Sequence, residues 1–87
     1  MENLSEEEKQ SLNMIKLHCS NNLAFVALRN AEYDKVIVHC NNALDICPTN
    51  PKALYRRGRA YLAQNKWDLA REDFKKAIAE VPGLTNI

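Results

Sequence analysis

The sequence predicts an all-α chain of about four helices, paired into helix–turn–helix units. Three observations carry that expectation. The 87 residues hold two glycines and three prolines, too few for the turn every ~8–12 residues that a β-sandwich or barrel needs. Apolar residues recur at helical spacing between capping residues and breakers. The chain also repeats itself when shifted by 34 residues, about the length of one helical hairpin. At 46% hydrophobic and 26% charged, the composition is globular rather than disordered.

Ser5-Glu6-Glu7-Glu8 reads as a capping box: the Ser5 hydroxyl accepts from the Glu8 N–H, and the Glu8 carboxylate reaches back. Three acids in that first turn also suit the helix dipole. No Gly or Pro follows until Pro48, and Leu12, Ile15, Cys19, Leu23 and Val26 recur at helical spacing, so a first helix is expected over about 5–28. Residues 29–32 form a tight turn with Asn30 as the left-handed residue. A second helix then carries Tyr33, Val36, Ile37, Cys40, Ala43 and Leu44 on one face, and Cys47-Pro48-Thr49-Asn50-Pro51 ends it. Asn50 is placed to cap a third helix whose first residue is Pro51. That helix runs to about Ala63, and Gln64-Asn65-Lys66 turns into a fourth. The fourth runs from Trp67 to about Glu80 and stops before Pro82-Gly83. Tyr33 and Trp67, opening the second and fourth helices, are expected as packing anchors.

The shift of 34 places Pro48 on Pro82, Ala43 on Ala77, Asp34 on Asp68 and Leu28 on Leu62. Ala24 falls on Gly58, Tyr33 on Trp67, Leu44 on Ile78 and Cys40 on Phe74. A 34-residue period of helical hairpins is that of the tetratricopeptide repeat (TPR), which stacks into an α-solenoid. Small Ala24 and Gly58 let paired helices approach closely, with Tyr61 and Phe74 filling the space between. The expected division is an extension of the first helix over 1–16, repeats over 17–50 and 51–84, and a tail over 85–87.

Charge separates function classes. The net charge is +1, but residues 1–9 come to −3, whereas Lys52, Arg56, Arg57, Arg59 and Lys66 make the stretch 51–66 acid-free at +5. The Arg56-Arg57-Gly58-Arg59 run could serve RNA, but it is short and flanked by acid-containing helices, so nucleic acid is not the expected partner. No apolar run approaches the ~18 residues of a membrane span, and the acidic start is unlike a signal peptide. Three cysteines without paired spacing argue against a disulfide framework and for a reducing compartment. The expected location is the cytoplasm, with the nucleus as a second site. His18-Cys19 and His39-Cys40 lie on two long helices rather than at turn-like ligand spacing, so no metal is expected. No acid or oxyanion hole would support a Cys-His nucleophile, so the chain is expected to be neither an enzyme nor a cofactor carrier.

Cys19-Ser20-Asn21-Asn22-Leu23-Ala24, followed by Lys52-Ala53-Leu54-Tyr55-Arg56-Arg57-Gly58, resembles the last two repeats of co-chaperone TPR domains. The resemblance runs from about Ile15 to the end and is to immunophilins of the FK-binding type and the aryl-hydrocarbon-receptor-interacting family. It implies a three-repeat domain with a final helix that binds the acidic Met-Glu-Glu-Val-Asp tail of the ninety-kilodalton heat-shock chaperone, or the tail of the seventy-kilodalton one. In that family a carboxylate clamp of Lys, Asn, Asn, Lys and Arg holds the peptide. Asn22, Lys52 and Arg56 match three of those positions. The chemistry is coherent: Lys52 and Arg56 are four apart and share a helical face. Arg offers a planar fork, Lys a flexible point charge, and Asn an uncharged donor. Arg59 is a candidate auxiliary contact to the peptide's acidic side chains, and Arg57 is otherwise expected as a surface charge.

Lys9 and Asn13 mimic the missing pair but precede Asn22 on what reads as one helix, so they are taken as a decoy. The chain thus resembles a two-repeat piece of a longer protein, or a natural short one. With a longer immunophilin parent, an isomerase-like domain would lie upstream. Tail binding weaker than that of a complete domain, and a homodimer through the uncovered first helix, are further expectations. The competing reading is a TPR scaffold or oligomerisation module that binds another partner protein and no chaperone tail.

Overall fold

The computed structural model describes residues 3–81. Four helices follow in order: α1 (Glu6–Arg29), α2 (Tyr33–Ile46), α3 (Pro51–Ala63) and α4 (Trp67–Ala79). The proposed stop at Pro82-Gly83 and the 85–87 tail lie outside the described residues. The capping box forms: the Glu8 N–H donates to Ser5 Oγ at 3.1 Å, and the Ser5 N–H donates to Glu8 Oε1 at 2.9 Å. Asn50 caps α3 by accepting from the Ala53 N–H at 3.0 Å, with Pro51 in the first turn.

Both hairpin turns are built alike, though not on the residue expected. α1 runs on to Arg29, so Asn30 becomes its cap at φ −91° and Ala31 takes the left-handed conformation at φ 58°. Asn65, 34 residues later, does the same at φ 61°. The left-handed step lets the Glu32 N–H reach Ala27 O at 2.9 Å and the Ala31 N–H reach Leu28 O at 3.1 Å. Lys66 to Tyr61 O (2.9 Å) and Asn65 to Leu62 O (3.0 Å) repeat the pattern. These bonds satisfy the last carbonyls of each helix, which offsets the cost of about 1–2 kcal/mol for holding Ala31 left-handed.

α1 packs on α2 and α3 on α4, and the hairpins meet mainly through α2 and α3, with α1 also touching α3. The core joins Leu17, Ala24 and Ala27 of α1 to Val36, Cys40 and Ala43 of α2 and to Ala53 and Ala60 of α3. Alanine dominates because helices stacked as hairpins approach closely, leaving room for little more than a methyl. In the second hairpin the same requirement reduces position 58 to glycine, since a Cβ there would lie 2.7 Å from the Phe74 ring.

Three expectations about packing change. The recurrent apolar residues Leu12, Ile15, Cys19, Leu23 and Val26 are exposed, because α1 turns Leu17, Asn21, Ala24 and Ala27 toward its partners instead. Trp67 is 63% exposed and is no anchor; it opens α4 outside the seam, and Ala70 is the first α4 residue buried. Tyr33 does pack, partly buried, against the core. Phe74 fills the space beside Gly58, whereas the Tyr61 ring lies beneath the cations of Arg57 and Lys66, at 5.7 and 5.9 Å.

Candidate functional site

The basic stretch of α3 divides by helical phase. Lys52, Arg56 and Arg59 are spaced four and three apart and so share one face. Arg57, turned ~100° from Arg56, points into the hairpin. Its Nε donates to Asp73 Oδ2 and its Nη2 to Asp73 Oδ1, both at 2.8 Å, and Nη1 donates to Asn41 Oδ1 at 2.8 Å. One side chain thereby ties α3 to α4 and α2. Asp73 is almost fully buried, and its hydrogen bond holds the Arg57 guanidinium pKa above the ordinary value, against the opposing effect of burial. Arg57 is therefore structural and not the surface charge expected. A signal for it was present: Asp73 stands three residues after Ala70 and four before Ala77, on the buried stripe of α4. A carboxylate there requires a cation.

Arg56 behaves differently. Its Nη1 donates to the backbone carbonyl of Asn21 at 2.9 Å, and its guanidinium lies over the Phe25 ring at 5.3 Å. The contact lays α3 against α1 beside Asn22, which is exposed and one turn before Phe25. Arg29 covers the same ring at 5.8 Å. Lys52 is exposed in the first turn of α3. The start of that helix is held to α1 by Asn21, whose Nδ2 donates to Asn50 Oδ1 at 3.2 Å, while Asn21 Oδ1 is buried without a partner. Arg59 is exposed and lies over Tyr55 at 5.8 Å.

The structure therefore places Lys52, Arg56 and Arg59 on one face of α3, and Arg56 joins that face to α1 at Asn21 and Phe25, either side of Asn22. Among the described residues no carboxylate pairs with Lys52, Arg56 or Arg59, in contrast to Arg57. Lys9 and Asn13 are exposed near the start of α1, and Lys9 is paired with Glu6 at 3.7 Å. Phe25 and Asn21, which seat Arg56 and the α3 cap, were not among the residues singled out from sequence. Among the described residues no three His, Cys, Asp or Glu side chains gather as a metal site, and no helix is long and apolar enough to cross a membrane. Cys40 is buried in the core, and that burial pushes its thiol pKa up to about 11, with Arg56 and Arg57 partly opposing.

Comparison with known proteins agrees with this architecture. The sequence model of the tetratricopeptide repeat matches residues 51–84. Peptidyl-prolyl cis-trans isomerase FKBP4 of Mus musculus is 41% identical over 78 residues, covering 90% of this chain and 17% of the relative. The Homo sapiens protein of that name is 40% identical over the same length. Peptidyl-prolyl cis-trans isomerase FKBP42 of Arabidopsis thaliana is 41% identical over 68 residues, covering 78% of this chain and 19% of the relative. The chain thus spans under one-fifth of these curated relatives. Two like-built hairpins 34 residues apart, the matched repeat and these relatives make the chain a tetratricopeptide-repeat domain, a protein-interaction module resembling that of the immunophilin co-chaperones.

Proposed function

We propose that this domain is a co-chaperone module that captures the acidic C-terminal peptide of a heat-shock chaperone on the joint face of α1 and α3. The observation that carries the reading is the contrast between neighbours: Arg57 is neutralised by Asp73, while Lys52, Arg56 and Arg59 stand without a carboxylate among the described residues. Three cations on one face favour an anionic ligand.

Each residue has a role its surroundings support. Arg56 is already seated by the Asn21 carbonyl and the Phe25 ring, which engage Nη1 and one guanidinium face and leave Nε and Nη2 to meet a carboxylate. Pre-seating reduces the rotamer entropy lost on binding. Lys52 adds a mobile point charge one turn away, and Asn22 donates its amide to the terminal carboxylate without adding charge. Arg59 meets acidic side chains further along the peptide. The domain acts by binding, not by catalysis, in the cytoplasm or the nucleus.

Calorimetric titration of a Met-Glu-Glu-Val-Asp peptide tests the assignment. Lys52→Ala and Arg56→Ala together remove two charge-assisted contacts of ~1.5–3 kcal/mol each, a loss of at least about a hundredfold. Arg56→Lys, which retains the charge but not the fork, separates electrostatics from geometry. No binding to the wild type would favour the scaffold reading. RNA affinity with a steep salt slope would favour nucleic acid.

A further inference from the structure

The two ends of the stack are unlike, and the 34-residue period relates them. In the first hairpin Leu17, Asn21, Cys40 and Ala43 are buried beneath α3, with Leu44 and Cys47 packed beside them. Their counterparts 34 residues on are Pro51, Tyr55, Phe74, Ala77, Ile78 and Val81, which together with Lys52 line an apolar groove of about 500 Å³ between α3 and α4. Tyr55 is 49% exposed there, whereas its counterpart Asn21 is at 6%, and Ile78 is exposed where its counterpart Leu44 is half-buried. The groove is thus the seat that α3 occupies on the first hairpin, repeated on the second and open among the described residues.

The other half of the same joint lies on α1. α3 enters its seat with Ala53 and Ala60, both fully buried, and with Arg57 reaching Asn41 across the seam. The α1 counterparts are Cys19, Val26 and Leu23, all exposed. They are small or apolar, as a helix entering an apolar groove requires. The exposed stripe of α1 and the open groove of α3–α4 are therefore the two sides of the α2–α3 interface, presented at opposite ends of one chain.

We infer that the groove takes α1 of a second copy, docked as α3 docks on the first hairpin, so that copies associate head to tail. The joint is heterologous: each copy uses its groove toward one neighbour and its α1 face toward the other, unlike the pairing of two first helices expected from sequence. It continues, by the molecule's own repeat operation, an interface already present within the chain. The groove shares Lys52 with the peptide site, but Ile78 and Val26 lie outside the Lys52–Arg56–Arg59 face, so variants at those two positions test the joint without removing a clamp residue.

Sedimentation equilibrium and light scattering on the full 87-residue chain test it. The wild type should show a weight-average mass that rises with concentration from about 10 μM to 1 mM and passes the dimer. Ile78→Glu removes the groove and Val26→Glu the α1 face; both positions are exposed, so each variant should retain its helicity by circular dichroism. Each alone should be monomeric. Mixed in equal amounts, the two should form a dimer and stop there, since one intact groove meets one intact α1 face. That complementation also shows that both variants fold. A wild type monomeric throughout the range overturns the inference. So does an Ile78→Glu variant that still dimerises, which would mean α1 pairs with α1, and so does a mixture that fails to associate.

Discussion

Gly58 leaves no room for a Cβ beside the Phe74 ring, and the first hairpin supplies the control. An ideal Cβ at position 58 would stand 2.7, 2.9 and 3.1 Å from three ring atoms of Phe74, where ordinary contacts begin at 3.4 Å. Gly58→Ala therefore forces the ring back by about 0.7 Å, the difference between 3.4 and 2.7 Å. Overpacking of that kind costs ~1–3 kcal/mol. Alanine returns ~1 kcal/mol through its better helix propensity, so the net loss is up to ~2 kcal/mol. In the first hairpin the matching residues are Ala24 and Cys40, a larger residue facing a smaller one. Phe74→Cys should thus cost ~3 kcal/mol by itself, through the cavity it opens. In that background Gly58→Ala should become stabilising by ~1 kcal/mol, because the clash has gone and the propensity gain remains. Urea unfolding of the four proteins measures the cycle, and each kcal/mol should move the melting temperature by ~4–8 °C. If Gly58→Ala stabilises the wild type, or has the same effect in both backgrounds, the steric account of this glycine is wrong.

Other expectations rest on single groups. Arg57→Met should destabilise by ~3–5 kcal/mol, because it leaves the buried Asp73 carboxylate unpaired; adding Asp73→Leu should recover most of that loss in thermal melts. Stability should also fall in alkali: the Cys40 thiol is raised from 9.0 to about 11 in the folded chain, so the folded state holds the proton more tightly. The contribution is complete below pH 9 and is lost as pH rises through about 11, by ~3 kcal/mol, and Cys40→Ala should flatten that part of the stability–pH curve. At neutral pH exposed Cys19 should react with a maleimide well before buried Cys40, as mass spectrometry of the labelled chain would show.

The fold was legible because the 34-residue period and the caps agree. Ser5, Asn50 and the two matched turns each say locally what the repeat says globally, and the helices formed within a residue or two of the expected limits. Which faces are buried was much less legible. α1 carries two candidate stripes, and the more apolar one, through Leu12, Ile15 and Val26, is the one left uncovered. The buried stripe contains Asn21, whose amide is needed to hold the α3 cap, and no count of apolar residues would choose it. Trp67 misled for a similar reason: a large aromatic suggests an anchor, yet its position lies beyond the seam.

The candidate site divides the same way. The grouping of Lys52, Arg56 and Arg59 follows from helical spacing alone. The opposite fates of Arg56 and Arg57 do not, because they depend on where α4 places Asp73 and where α1 places the Asn21 carbonyl. Phe25 was hidden because an aromatic on a helix reads first as core, whereas here it is exposed and supports a guanidinium.

Recognition of a terminal carboxylate by the α1–α3 face underlies the proposed function. Calorimetry comparing a Met-Glu-Glu-Val-Asp peptide having a free C-terminus with the same peptide C-terminally amidated isolates that group. The free acid should bind and the amide should bind at least about tenfold more weakly, matching the loss of one charge-assisted contact of ~1.5–3 kcal/mol. Equal affinity for the two peptides, or an affinity unchanged by Arg56→Ala, would contradict it.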